Sequence, residues 1–131
     1  MTEFARRMGA TISAVCLGIA GSVLLFAPVE AGSVLMPGSS RPVLVQLLGG
    51  ALVGYGIANW TARGSALGGI YGRAVVAGNQ AHFMIGALLL LTQRDVGAAH
   101  PAYWGLVLFY VIGAAFFSYL MFFSSGLKGR S

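Results

Sequence analysis

Charge is scarce in this chain, and negative charge is scarcer still. Only 8% of the 131 residues are charged, and just three are acidic: Glu3, Glu30 and Asp95. A soluble domain of this length needs a far more polar surface, whereas this chain is 57% hydrophobic. The composition therefore excludes a soluble globular protein and indicates lipid as its main solvent. Because the three carboxylates fall at or beyond the ends of apolar segments, none is placed to serve a proton-coupled pump.

Cysteine and histidine are also rare, which removes most metal and cofactor chemistry. Cys16 is the single cysteine, so a CxxC pair and an intrachain disulfide are excluded. Of the two histidines, only His82 lies within an apolar run, and one histidine cannot give bis-histidine haem ligation within a chain. The sequence has no HExxH motif, no carboxylate cluster and no serine beside a base with an acidic partner. We therefore predict no metal, no cofactor and no catalytic residue.

Long apolar runs, in contrast, are abundant. Four of them, at about 8–27, 42–60, 74–92 and 101–123, have the length of roughly 20 residues that spans a bilayer. The first follows Arg6 and Arg7 as a signal peptide would, but its length favours a retained helix. Pro28 and Glu30 predict a turn, and the stretches AGSVLMPGSSRP and TARGSALGGIYGR predict loops. The prediction is an all-α membrane protein, with residues 1–131 forming one transmembrane domain.

The lysines and arginines predict the orientation. They form no basic face that could follow phosphates, so we expect no nucleic-acid partner. Cytoplasmic flanks of membrane proteins are enriched in these residues. With the N-terminus inside, the cytoplasmic set has six members and the outer set only two, Arg41 and Arg94; the six are Arg6, Arg7, Arg63, Arg73, Lys128 and Arg130. Short loops then predict an antiparallel four-helix bundle with both termini cytoplasmic.

Small residues recur at four-residue spacing in three of the spans. In lipid, close helix packing depends on such residues, because there is little hydrophobic force between helices. We predict helix packing at Gly18, Ser22, Gly50, Gly54, Gly78 and Gly86. Two interpretations stay open: the stripes are contacts within one bundle, or one stripe faces outward and pairs two protomers.

Strongly polar side chains at membrane depth are the best candidates for a binding site. An unpartnered amide or imidazole in hydrocarbon is costly, so such residues are expected to find partners or to serve function. The candidate cluster comprises Gln46, Tyr55, Asn59, Asn79, Gln80 and His82, with His82 near the middle of the bilayer. His82 either fixes the helices in register through a hydrogen bond or forms a site for a polar solute or a proton. Arg63 and Arg73, which flank a glycine-rich loop, are predicted to contact lipid headgroups.

The stretches LLGGALVGYGIANWTARG and IYGRAVVAGNQAHFMIGALLLL resemble those of small four-helix bacterial inner-membrane proteins of the DoxX-like group. The likeness covers the second and third spans and the loop between them. It implies a bacterial inner membrane and four spans, and it carries over no catalytic residue.

Three functions are compatible with these features. The first is a small bundle that acts through helix packing, as a homo-oligomer or as an accessory subunit of a membrane complex. The second is a transporter or channel for a small polar solute with a midplane site around His82. The third is a membrane enzyme acting on lipid or quinone, with Arg63 and Arg73 as headgroup contacts.

Overall fold

The computed structural model describes residues 2–35, 38, 42–64, 70–92 and 100–123, with the side chains of residues 70 and 71 excepted. The described residues are 93% helical and contain five helices and no strand. The helices are α1 Glu3–Phe26, α2 Pro28–Leu35, α3 Pro42–Ala62, α4 Ile70–Thr92 and α5 Pro101–Phe122. Helices α1, α3, α4 and α5 are each long and apolar enough to cross a membrane. This confirms the prediction of four spans.

Local sequence explains where several helices begin and end. Thr2 caps α1 by accepting a hydrogen bond from the amide of Ala5, and His100 caps α5 through Nδ1, which accepts from the amide of Ala102. Tyr103, in the first turn of α5, reaches across to α4 and donates a 2.5 Å hydrogen bond to the carbonyl of Leu90. That carbonyl lies in the last turn of α4, where helical carbonyls have no partner within the helix. These bonds satisfy polar groups that lipid could not.

Helix α2 corrects the loop prediction after the first span. The chain turns at Ala27, whose φ of −127° and ψ of 54° end α1, and Pro28 then occupies a first-turn position that tolerates its missing N–H. Gly32 lies buried in α2, where a Cβ would meet Cγ2 of Val45 in α3 at 3.3 Å. Packing against α3 thus holds a helix that composition alone did not predict.

The loop predicted over 61–73 is also too long, since α3 continues to Ala62 and α4 begins at Ile70. A helix satisfies its own backbone groups in lipid, and this outweighs the glycines of the stretch. Arg41, Arg94, Lys128 and Arg130 lie outside the described residues.

The spans pack as two pairs, α1 with α3 and α4 with α5. In the first pair, Gly21 and Gly49 face each other so closely that a Cβ on either would come within 2.6–2.8 Å of the other's carbonyl oxygen. In the second pair, glycine faces an aromatic ring twice: Gly86 lies against Tyr110, and Gly113 against Phe83. Small residues therefore permit close approach in both pairs, as lipid-embedded packing requires.

Candidate functional site

The two helix pairs meet at a buried group of polar side chains, which we call the amide cluster: Ser13, Asn59 and Asn79. Asn59 is 1% exposed and Asn79 is fully buried. Asn59 Nδ2 donates to Oδ1 of Asn79 at 2.8 Å and to Oγ of Ser13 at 2.9 Å. Asn79 Nδ2 donates in return to Oδ1 of Asn59 at 2.5 Å and to the carbonyl of Val75 at 2.8 Å. Side chains of α1, α3 and α4 are thereby joined in one satisfied network.

A second group, the ring cluster, lies one turn further along α4: Tyr55, His82 and Tyr110. The imidazole of His82 stacks on Tyr55 with a centroid distance of 4.7 Å. Its Nε2 shares a 3.1 Å hydrogen bond with the hydroxyl of Tyr110, whose ring centroid is 5.3 Å away. The histidine thus connects α3, α4 and α5. The ring stacked on one face of the imidazole and the hydrogen bond at one nitrogen favour the interpretation of His82 as a packing residue.

The structure divides the predicted polar cluster. It brings Asn59 together with Asn79, and Tyr55 together with His82. Gln80, which follows Asn79 in α4, is half-buried. Gln46 belongs to neither group, because its exposed side chain donates to the carbonyl of Leu25 in α1 at 3.2 Å. Gln46 lies near the start of α3, nearly four turns from Asn59, so the two amides cannot line one pocket.

Sequence reasoning missed Ser13 and Tyr110. The only sequence signal at Ser13 is a hydroxyl inside the first apolar span. That signal is weak, because serine in a membrane helix often bonds its own backbone. Tyr110 is one of several aromatic residues of α5. Its hydroxyl becomes a candidate only because His82 of α4 lies within hydrogen-bond distance of it. Both residues are identified by their contacts with other helices, which depend on how the two helix pairs pack together.

The predicted packing residues fall into three groups. Gly86 and Gly78 face aromatic side chains, since a Cβ on Gly78 would meet the ring of Tyr55 at 3.6 Å. Gly18 borders the contact of α1 with α3, while the hydroxyl of exposed Ser22 bonds the Gly18 carbonyl at 2.8 Å. Gly50 and Gly54 are exposed, and a Cβ on either would meet no described atom within 4 Å.

Helix α3 therefore packs through a different row from the one predicted. Its buried residues alternate steps of four and three: Val45, Gly49, Leu52, Gly56 and Asn59. Alternating steps keep side chains on one face of a helix with 3.6 residues per turn, whereas strict four-residue steps drift around it. The interpretation that Gly50 and Gly54 pack inside the bundle is thus wrong for this chain. Their outward position leaves the alternative, contact with another chain, as a prediction.

A groove with a volume of about 320 Å³ runs between α1 and α3 on the outside of the bundle. Its floor is Ala14 and Gly56, and its walls are Val15, Gly18 and Ser22 from α1 and Val53, Ile57 and Trp60 from α3. We call this feature the α1/α3 groove. Beyond its Trp60 end lies Arg63, whose guanidinium stacks 3.6 Å above the indole and donates to the Trp60 carbonyl. Arg73, the other predicted headgroup contact, is exposed in the first turn of α4.

Four transmembrane-length helices, a hydrogen-bonded amide cluster and an apolar external groove fit a small integral membrane protein. Comparison of the chain with family models, with curated proteins and with solved structures finds no match.

Proposed function

We propose that this membrane protein works by lateral association, pairing through one face of α3 with a second copy or with another membrane subunit. We call this surface the outer glycine face and define it by Gly50 and Gly54. The same helix carries a second set of glycines, Gly49 and Gly56, which are buried against α1. The inner set has its partner within the chain, and the outer set has no neighbour within 4 Å among the described residues.

The observation that carries the proposal is this pair of uncovered glycines in the middle of a long helix. Glycine in a helix interior costs roughly 0.5–1 kcal/mol relative to alanine. Gly49 offsets that cost by letting α1 approach, whereas no part of the chain that the structure describes packs against Gly50 or Gly54. A backbone of another helix against the outer glycine face would supply the missing contact, because small residues allow the close approach that drives association in lipid.

The geometry around His82 supports association over solute transport. A transport site needs polar groups that can exchange protein partners for a solute. The imidazole instead has Tyr55 against its face and Tyr110 at Nε2, and the amide cluster bonds its own members. These groups fix the helices in register and leave the protein's outer surfaces to meet partners.

The test is a subunit count in bilayers with variants that fill the outer glycine face. Purified protein labelled with a fluorescent donor or acceptor is reconstituted at decreasing protein-to-lipid ratios, and energy transfer gives the association constant. We expect Gly54→Leu to weaken association at least tenfold, which is about 1.4 kcal/mol. Gly105→Leu is the matched control, because Gly105 on α5 also has open space around a Cβ.

Two results would refute the proposal. One is a protein that stays monomeric at high density in the bilayer and brings down no membrane subunit from its native membrane after cross-linking. The other is an equal loss of association in Gly54→Leu and Gly105→Leu, since that would remove the outer glycine face as the contact. If a photoreactive side chain introduced at position 54, but not one introduced at position 105, captures a different subunit, the accessory role is the one supported.

A further inference from the structure

The α1/α3 groove exists because one of its walls lacks a side chain. An added Cβ on Gly18 would meet nothing within 4 Å, so the position is open space next to Val53 and Ile57. The one hydroxyl in the walls, that of Ser22, donates to the carbonyl of Gly18 and so does not present a free donor to the groove. The lining is therefore suited to hydrocarbon.

The length of the groove matches one leaflet of a bilayer. Its α3 wall runs from Val53, near the middle of the helix, to Trp60, a distance of about 10 Å at 1.5 Å per residue. Half of a typical hydrocarbon core is about 15 Å. One end of the groove is Trp60, two residues before the end of α3, where an indole is expected at the membrane interface. The groove therefore runs from the interface to near the midplane.

A fixed cation stands at the interfacial end. Stacking on Trp60 and the hydrogen bond to its carbonyl hold the Arg63 guanidinium in place. A guanidinium has five N–H donors in a planar fork that fits phosphate oxygens, so one bond to a carbonyl leaves donors for an anion. The contact of Ala14 with Gly56 sets α1 antiparallel to α3, which brings exposed Arg7, two turns before Ala14, to the same end.

We propose that the α1/α3 groove binds one anionic phospholipid, with its phosphate at Arg63 and one acyl chain along Gly18 and Ile57. The apolar lining of the groove would hold the acyl chain, and Arg63 at its interfacial end would bind the phosphate of the headgroup. Two cations at that end favour a headgroup with net negative charge over a zwitterionic one, in which choline or ethanolamine offsets the phosphate. The lining of this site contains neither Gly50 nor Gly54, and the groove borders the outer glycine face at Ile57, one turn along α3 from Gly54.

The experiment measures lipid retention by native mass spectrometry of the detergent-purified full chain. Phosphatidylglycerol and phosphatidylcholine with the same acyl chains are added in equal amounts. We expect at least a tenfold preference for phosphatidylglycerol in the unaltered protein. Gly18→Leu, which fills the groove, should lower phosphatidylglycerol retention at least tenfold. Arg63→Gln should reduce the preference to near unity while an acyl chain still binds.

Matched controls separate the groove from general effects of bulk and charge. Gly105→Leu adds the same side chain on α5, and Arg73→Gln removes the same charge at the matching end of α4; both should retain phosphatidylglycerol fully. Circular dichroism and the melting temperature establish that each variant is folded. Ser22→Leu fills the other end of the groove and gives a second test should Gly18→Leu fail to fold.

Several outcomes would overturn the proposal. Equal retention of the two lipids by the unaltered protein would remove the headgroup site. Full retention in folded Gly18→Leu or Ser22→Leu would remove the groove. If soluble glycerol phosphate displaces bound phosphatidylglycerol as effectively as added lipid does, the site binds an anion and no acyl chain.

The energy-transfer assay distinguishes this proposal from lateral association. Gly54→Leu should lose association and keep its phosphatidylglycerol. Loss of lipid in that variant would instead place the lipid at a subunit contact and overturn the groove assignment. If Gly18→Leu dissociates the protein with lipid retention unchanged, the groove seats a partner helix and the lipid proposal fails.

Discussion

Replacing Asn59 with leucine removes the centre of the amide cluster while keeping a side chain of similar size. The change breaks three hydrogen bonds: Asn59 to Ser13, Asn59 to Asn79, and Asn79 to Asn59. Side-chain hydrogen bonds within membrane bundles average about 0.6 kcal/mol, so three contribute about 2 kcal/mol. Oδ1 of buried Asn79 also loses its partner, which costs about 1–3 kcal/mol. We expect Asn59→Leu to reduce the free energy of unfolding by about 3–5 kcal/mol.

The double variant Asn59→Leu, Asn79→Leu provides the sharper test. Asn79→Leu alone leaves Oδ1 of Asn59 unpaired, so each single variant carries the cost of a stranded amide. With both amides replaced, neither is stranded, and the leucines can pack against each other. The double variant should therefore cost about as much as one single variant, giving a coupling energy of at least ~1 kcal/mol between the two positions.

Reversible unfolding in mixed micelles, followed by circular dichroism as a denaturing detergent is titrated, measures these free energies. Gln46→Leu is the matched control, since it also replaces an amide of α3 but one that is exposed and makes a single 3.2 Å bond. It should cost less than ~1 kcal/mol. The reasoning is refuted by an Asn59→Leu effect no larger than that of Gln46→Leu, or by single effects that simply add in the double variant.

The same titration tests two further features. Neighbouring glycines on α3 should respond with opposite signs: Gly49→Ala places a Cβ 2.8 Å from the carbonyl of Gly21 and should destabilise by about 1–3 kcal/mol. Gly50→Ala enters open space and should stabilise the monomer by up to about 1 kcal/mol through helix propensity; matching effects at the two positions would contradict the assigned faces. Tyr110→Phe removes the hydrogen bond to His82 and keeps the ring contacts, so it should cost about 0.6 kcal/mol and at most ~1.7. A loss of stability well above ~1.7 kcal/mol would show that the Tyr110 hydroxyl contributes more than its one hydrogen bond to His82.

The two proposals assign different roles to neighbouring faces of α3. Its outer glycine face would meet another protein, and the groove beside α1 would hold a lipid. In both cases the surface is formed by glycine, which leaves room for a neighbour instead of filling it. Replacing Gly18 or Gly54 with leucine therefore acts on contacts outside the chain and should leave its own packing intact.

The sequence by itself determined the class of the protein and the number of its spans. A membrane segment is a local property, since it requires about twenty apolar residues in a row and the backbone bonds satisfy themselves within the helix. Residues such as Pro42 and Pro101 mark helix starts for equally local reasons, and both begin helices as predicted. Helix α2 escaped prediction because its eight residues are rich in small side chains and pack against α3 and α1, contacts that the local sequence does not reveal.

Tertiary structure alone decided which face of each helix points inward and which polar groups meet. Helix α3 is apolar nearly all around, so its own pattern does not single out Gly49 over Gly50; the approach of α1 does. Asn59 and Asn79 were recognisable as costly groups in lipid, but their pairing, and the inclusion of Ser13, depend on the relative depth and rotation of three helices. In lipid, the hydrophobic effect that orients the faces of soluble helices is absent, so close packing and hydrogen bonds between helices have to orient them instead.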